Sequence, residues 1–279
     1  MGDLAQDTAV SAVAGQPEGG RRFTATVHED WEIWGPAGGY VAAIALRAAG
    51  AVSPFERPAS FYCHYLSVAA FEPVELVVTP LRAGRTVLAQ RVAMSQHGRP
   101  VLEAMVWSVG EVAGLVHRDL EPPEVPDPSD LKSPEELWSD REGPRFRFWN
   151  NFDQRPIDYE ESWPPPGPLP PTWRTWLRCR PTPTFDDPWV DAARTLVVLD
   201  VLSWPAGSRP HAYLEPPFTA PSLDLYASFQ NPGSSTDWLL LHGHSPVAGD
   251  GLLSWTGRVW TRDRQLIASG GGQAVFRHT

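Results

Sequence analysis

The last third of this chain repeats the plan of its first third, so whatever one copy folds into, the other is expected to fold into as well. The early copy reads Ser60-Phe61-Tyr62, then Pro73 to Ala83-Gly84-Arg85, then Gly98-Arg99-Pro100-Val101-Leu102. The later copy reads Ser222-Leu223-Asp224, then Trp238 to Ala248-Gly249-Asp250, then Arg264-Gln265-Leu266-Ile267. Ala248 stands 165 residues after Ala83, as Leu266 does after Val101, and Asp224 stands 162 after Tyr62. Only the later copy places polar residues where the early copy is inert. One active half on a symmetric scaffold is the expectation.

Each copy contains one segment that decides its architecture. After a strand over residues 22–27, Gly35-Pro36-Ala37-Gly38-Gly39 opens a run over 40–51 that is apolar apart from Arg47. Proline near the start and Gly50 near the end punctuate a helix. A helix apolar on nearly every face has to be buried. Strand-like segments follow at 60–69, 74–81, 86–95 and 101–109, which implies a sheet wrapped around that helix. The later copy has a strand over 172–180, a helix over 189–202 opened by Asp187-Pro188, and strands at 222–230, 238–245, 252–261 and 266–277.

The expected fold class is therefore α+β, with two tandem copies of a long helix wrapped by an antiparallel β-sheet. Residues 1–20 read as a flexible arm, 21–110 as the first unit and 172–279 as the second, which holds the candidate site. Residues 111–171 are acidic and rich in proline, which argues for neither a helix nor a central strand there. Their aromatics, among them Trp138, Phe148, Trp149 and Phe152, argue for an ordered crossover packed on the sheets rather than a free tether.

Composition narrows the partners. The chain has 279 residues, 33 acidic against 23 basic, and a formal net charge of -10. Nucleic acid is not expected as a partner, because neutralising phosphates takes clustered Lys and Arg. Cys63 and Cys179 have neither disulfide-framework nor metal-ligand spacing and read as buried free thiols. No metal and no cofactor is expected. The first residues lack the basic and apolar parts of a signal peptide, and no apolar run approaches the ~20 residues of a membrane span. A cytoplasmic protein is the expectation.

Three polar residues of the later copy stand out against inert counterparts: Asp224 against Tyr62, Ser245 against Pro80, and Gln273 against Ser108. A carboxylate in an apolar strand is costly unless it is paired, hydrogen-bonded or used. The triplet Gly270-Gly271-Gly272 would let a backbone or a ligand approach the last strand beside Gln273. Gly243-His244-Ser245-Pro246-Val247 only half matches a nucleophile elbow, since its fifth residue is Val and too few residues follow it.

Trp34-Gly35-Pro36-x-Gly38-Gly39-Tyr40, Leu81-Arg82-x-Gly84-Arg85, Ser222-Leu223-Asp224, Asp237-Trp238-Leu239-Leu240 and the closing Gln273 resemble the acyl-CoA thioesterase II family, in its TesB-like double-hotdog branch. The resemblance covers about residues 22–110 and 172–277. It implies two hotdogs in one chain, an acyl-CoA substrate and a place in lipid metabolism. It also implies an Asp, a Ser or Thr, and a Gln from the second hotdog holding the attacking water. Asp224 and Gln273 fall on the first and last of these. The strict register puts Pro246 on the middle one, and Ser245 is its hydroxyl-bearing neighbour.

In that reading Asp224 accepts the proton of the water, while Ser245 and Gln273 fix it in place. Backbone N–H groups of Gly38 and Gly39, at a helix N-terminus, could face the carbonyl oxygen. A tunnel between the helices, lined by Tyr40, Ile44, Trp189 and Val198, would take the acyl chain. Arg82 and Arg85 are the candidates for the CoA phosphates. The reading from another class is a non-catalytic acyl- or CoA-binding hotdog. Because hotdog sheets join edge to edge, a homodimer or higher homo-oligomer is expected.

Overall fold

The computed structural model describes residues 1–15, 19–138, 146–214, 218–233 and 235–278. A short helix α1 (Leu4–Asp7) and strands β1 (Ser11–Val13) and β2 (Arg21–Thr26) precede the long helix α2 (Gly38–Gly50). Strands β3 (Arg57–Tyr65), β4 (Pro73–Ala83), β5 (Val87–Gln96) and β6 (Arg99–Val109) complete the first unit. The crossover contributes α3 (Pro134–Leu137) and β7 (Phe152–Pro156). The second unit contains β8 (Thr172–Cys179), α4 (Pro188–Asp200), α5 (Ser203–Ser208), β9 (Phe218–Thr219), β10 (Asp224–Phe229), β11 (Trp238–Gly249), β12 (Leu252–Thr261), β13 (Leu266–Val275) and β14 (Arg277–His278).

Twelve strands form one sheet in the order β1-β2-β4-β5-β6-β3-β10-β13-β12-β11-β8-β7, and β9 pairs separately with β14. The two units meet where β3 runs antiparallel to β10, with Tyr62 opposite Tyr226. Reading outward from that seam, β3-β6-β5-β4-β2 on one side repeats β10-β13-β12-β11-β8 on the other. A pseudo-twofold axis therefore passes through the tyrosine pair. It makes Ser60, not Tyr62, the counterpart of Asp224, since each lies two residues before its seam tyrosine. By the same step Trp107, not Ser108, answers Gln273, because Tyr62 faces Met105 and Tyr226 faces Gly271. Both expected pairings shift, and the reason is that strand register fixes the equivalence more strictly than a count along loops.

Each sheet half wraps its own helix, and α2 and α4 pack against one another inside the wrap. Residues Tyr40, Ala42, Ala43, Ile44, Ala45 and Leu46 of α2 and Ala193, Leu196, Val198 and Leu199 of α4 are fully buried. The small side chains let the axes approach closely, and each fully buried Leu or Ile contributes about 1.5–3 kcal/mol. The helices run antiparallel: Gly39, near the start of α2, meets Leu196, Val197 and Asp200, while Gly50, at its end, meets Trp189. Ile44 and Val198 sit in this closed seam, so the expected tunnel between the helices is filled by packing.

The N-terminal residues are not a loose arm. Leu4 is buried, the Trp31 indole N–H donates to Asp7 Oδ2 at 2.9 Å, and the Tyr40 hydroxyl donates to the Asp7 carbonyl at 2.8 Å. Beyond α1, β1 extends the sheet by pairing with β2. These contacts bridge distant parts of the chain, which local composition cannot reveal. Phe148 and Phe152 are buried against Trp31, and β7 adds an edge strand beside β8. Pro134 opens α3 and Pro156 closes β7, positions where a missing N–H costs little.

Candidate active site

The antiparallel helix pair places the last residue of α4 on the first turn of α2. Asp200 Oδ2 accepts the Gly39 N–H at 2.7 Å, and its Oδ1 accepts the Ser222 hydroxyl at 3.2 Å. Asp200 is only 8% exposed, and no cation pairs with it among the described residues. Burial pushes its pKa up to about 6, against the pull of the Gly39 N–H and the Ser222 hydroxyl. A carboxylate in that range is ionised at neutral pH yet basic enough to take a proton from water.

Local sequence explains why this arrangement forms. A Cβ on Gly39 would stand 2.8 Å from Asp200 Cβ and 3.0 Å from the Leu196 carbonyl oxygen, so only glycine lets the two helix ends close. Ser222 lies just ahead of β10 and is held by the end of β13. The Leu223 N–H donates to the Gln273 carbonyl at 2.7 Å, the Val275 N–H donates to the Pro221 carbonyl at 3.1 Å, and Ser222 itself bridges to Ala274. The first unit contributes Tyr65, at the end of β3, whose N–H donates to the Leu223 carbonyl at 2.9 Å.

Asp200, Ser222, Gly38 and Tyr65 line one cavity of about 510 Å³, within the range of small-molecule sites. Its far wall is aromatic. Trp34 meets Trp204 edge-on at 5.9 Å and Phe146 edge-on at 6.4 Å, and Phe218 lies 6.0 Å from Trp204. Arg277, at the exposed rim, is the one Lys or Arg among the described lining residues.

The pseudo-twofold axis relates this end of the helix pair to the opposite end, where Gly50 and Trp189 meet. Gly39 and Trp189 are both second residues of thirteen-residue helices, and Asp200 and Gly50 are both last residues. At the opposite end the indole of Trp189 lies against Gly50 and donates to the Phe55 carbonyl at 3.2 Å. A large apolar ring thus occupies the position where the cavity end of the helix pair has a carboxylate and a glycine.

The structure does not gather Asp224, Ser245 and Gln273 around one point. Asp224 Oδ1 accepts the Gln273 N–H at 2.8 Å, which ties β10 to β13. Ser245 is buried on β11 and donates to the Ser254 carbonyl at 2.8 Å beside a bulge, with β12 and β13 between it and Asp224. The Gln273 side chain lies on the exposed face of β13, whereas the inward positions around it are Gly272 and Ala274. None of the three lines the cavity.

The remaining expected residues divide. Gly38 lines the cavity, and its N–H makes no hydrogen bond among the described residues. Gly39 does not offer a free N–H, because Asp200 takes it. Tyr40 is fully buried, stacks on Trp31 at 5.0 Å and is bound through its hydroxyl to the N-terminal segment, so it cannot touch a ligand in the cavity. Arg82 and Arg85 are exposed near the turn between β4 and β5. That turn joins Gly110 through Thr86, and Gly110 packs on Phe55 beside Trp189, at the opposite end of the helices from Asp200.

Asp200 and Ser222 are the residues that sequence reasoning passed over. One signal was present: Val197-Val198-Leu199-Asp200-Val201-Leu202 sets a lone carboxylate in an apolar helix end. The other acid of that helix, Asp191, has a cation three residues on in Arg194, at 2.5 Å in the structure.

Two family models match the chain, the acyl-CoA thioesterase N-terminal domain over residues 27–109 and the acyl-CoA thioesterase C-terminal domain over residues 121–275. A conserved hot dog fold protein of Alicyclobacillus acidocaldarius superposes with a TM-score of 0.81 at 20% identity, covering 99% of this chain and 98% of that one. The acyl-CoA thioesterase II TesB2 of Mycobacterium marinum gives 0.79 at 22% identity, covering 99% of both chains. A TesB protein of Mycobacterium avium subspecies paratuberculosis also gives 0.79 at 22%, covering 98% of both. At these identities the structural likenesses show a shared double-hotdog fold.

Proposed function

Because the chain belongs to the acyl-CoA thioesterase family and is a thioester hydrolase, we propose that Asp200 and Ser222 are the pair that holds and deprotonates the attacking water. The observation that carries this reading is the uncompensated, buried Asp200 carboxylate, hydrogen-bonded to Ser222 and Gly39 at the wall of the cavity. Water hydrogen-bonded to Asp200 and to the Ser222 oxygen loses a proton to the carboxylate as its oxygen adds to the thioester carbon. The oxyanion formed is met by the free N–H of Gly38, at the positive end of α2. Collapse breaks the C–S bond, and the departing thiolate takes the proton back from Asp200. The products are the carboxylic acid and CoA.

The acyl group occupies the aromatic side of the cavity, between Trp34, Trp149 and Trp204. Arg277 at the rim takes the place that Arg82 and Arg85 held in the sequence reading, as the contact for a CoA phosphate. Asp224 keeps a backbone-clamping role, and Ser245 a role in the β11 bulge. No helix of the described residues is long and apolar enough to cross a membrane.

The test is CoA release from a panel of short, medium, branched and aromatic acyl-CoAs, with Asp200→Asn and Ser222→Ala as controls. The wild type should release CoA well above the buffer rate and Asp200→Asn should not. Equal rates for wild type and Asp200→Asn would remove Asp200 from the mechanism.

A further inference from the structure

Asp200 and Ser222 account for the water, and with Gln273 facing outward the charge that develops on the substrate oxygen is left to donors such as the Gly38 N–H. The first unit supplies a group with no assigned task. Tyr65 lines the same cavity, its hydroxyl is sealed from solvent, and it has no hydrogen-bond partner of normal geometry. The Cys63 thiol is its weakly interacting neighbour. A buried hydroxyl left unpaired costs about 1–3 kcal/mol, so an orphan of this kind is retained for a reason outside the free protein's own contacts.

The position of the hydroxyl is informative. A Cβ built on Gly38 would stand 3.1 Å from the Tyr65 hydroxyl and 3.0 Å from Asp200 Oδ2. Glycine at 38 therefore lets the phenol and the acid both close on its backbone, beside the free N–H of Gly38 itself. We propose that Tyr65 is a catalytic hydrogen-bond donor, which joins the Gly38 N–H in binding the carbonyl oxygen of the thioester as it becomes an oxyanion. The proposal rests on the reading of Asp200 and Ser222 as the water-activating pair. The two halves of the chain then divide the reaction: the second hotdog handles the water, and the first hotdog, through Tyr65 and Gly38, handles the carbonyl.

Burial supports the assignment, because it holds the phenol well above its usual pKa. It stays protonated across the working range and is a donor, never a base. No bond is made to it and no proton leaves it. Its hydrogen bond shortens as charge moves onto the carbonyl oxygen and relaxes when the C–S bond breaks.

The experiment compares wild type, Tyr65→Phe, Gly38→Ala and Asp200→Asn on whichever acyl-CoA of the panel is hydrolysed fastest, with kcat, KM and thermal unfolding measured for each. Tyr65→Phe should lose about 100-fold in kcat with KM nearly unchanged. Its midpoint of unfolding should hold or rise, because the substitution deletes an unpaired buried hydroxyl; a hydroxyl with a structural role would lower it. Gly38→Ala should lower kcat by pushing the phenol and the acid apart. In addition, acyl-CoA bound to unreactive Asp200→Asn should show a thioester carbonyl stretch at lower frequency than when bound to Asp200→Asn/Tyr65→Phe. A Tyr65→Phe enzyme with wild-type kcat, or an unchanged carbonyl stretch, overturns the proposal while Asp200 stands. A wild type that hydrolyses no member of the panel overturns the Asp200–Ser222 reading, and Tyr65 falls with it.

Discussion

The amide N–H of Gly39 lies 2.7 Å from Oδ2 of Asp200, so the second residue of one long helix binds the last residue of the other. That bond joins the two hotdogs at the cavity and sets the acid in the field of the α2 N-terminus, which favours its charged form. Burial opposes this and prevails, leaving the carboxyl at about 6 rather than its ordinary 3.8.

Asp200→Asn should lose about 10²–10⁴-fold in turnover and gain stability at pH 8. The sign follows from the raised pKa: the folded state binds the proton more tightly than the unfolded chain, so the contribution of Asp200 to stability is fully present below about pH 4 and is lost as pH rises through about 6. Above that, the buried charge costs about 3 kcal/mol, which Asn would recover in part. Urea unfolding of both proteins at pH 4 and pH 8 checks it; the gap between them should open only at the higher pH. Wild-type kcat should correspondingly climb through about pH 6 and level off.

Removing the Ser222 hydroxyl takes a donor from Asp200 and a partner from the water. Ser222→Ala is expected to lower kcat on the order of 100-fold and to move the midpoint of the pH–rate profile upward, since less stabilises the carboxylate. Ser222→Thr keeps the hydroxyl and should restore most of the rate. A pH–rate profile for the three proteins separates the effects.

A methyl group at position 39 has nowhere to go between Asp200 Cβ at 2.8 Å and the Leu196 carbonyl at 3.0 Å. Gly39→Ala should destabilise the protein by about 1–3 kcal/mol and displace the acid, lowering kcat together with the unfolding midpoint. Thermal unfolding and CoA release measured side by side check both.

Trp189→Ala empties the opposite end of the helix pair. A loss of about 3–5 kcal/mol in stability is expected, with kcat per folded molecule unchanged, because the ends of a thirteen-residue helix lie roughly 18 Å apart. Denaturant titration paired with active-site-normalised kinetics reads the two quantities independently.

Asp224→Asn and Ser245→Ala test the residues that the sequence placed in the site. Asn still accepts the Gln273 N–H, and alanine at 245 loses only a bond to a neighbouring carbonyl. Both variants should keep kcat within about twofold, since neither residue lines the cavity. A large loss in either would return the chemistry to the β10–β11 side of the sheet.

Much of the architecture was legible in the chain. The run from Tyr40 to Gly50 had to be a buried helix because it has no polar face, and β12 and β13 begin where alternation and turn residues place them. The site was legible only in kind. The repeat points to an acid, a hydroxyl and helix-terminal glycines, and of these Gly38 lines the cavity, whereas Asp224 and Ser245 lie on strands outside it. The acid proposed here, Asp200, stands at a helix end, where its hydrogen-bond partner Gly39 is 161 residues away in sequence. Ser222 stands two residues before Asp224 in Ser222-Leu223-Asp224, and nothing local in the sequence marks the hydroxyl above the neighbouring carboxylate.

The sequence by itself determined the duplicated helix-in-sheet plan, because hydrophobic periodicity and punctuation act within a dozen residues of one another. Only the tertiary structure decided which residues meet. The antiparallel packing of α2 on α4 brings two helix ends together twice, once with glycine facing aspartate and once with tryptophan facing glycine. A single helix end is a weak signal in either copy. It is the crossing of the two, fixed by how closely small residues let the axes approach, that turns one end into a cavity with a buried acid and closes the other with an indole ring.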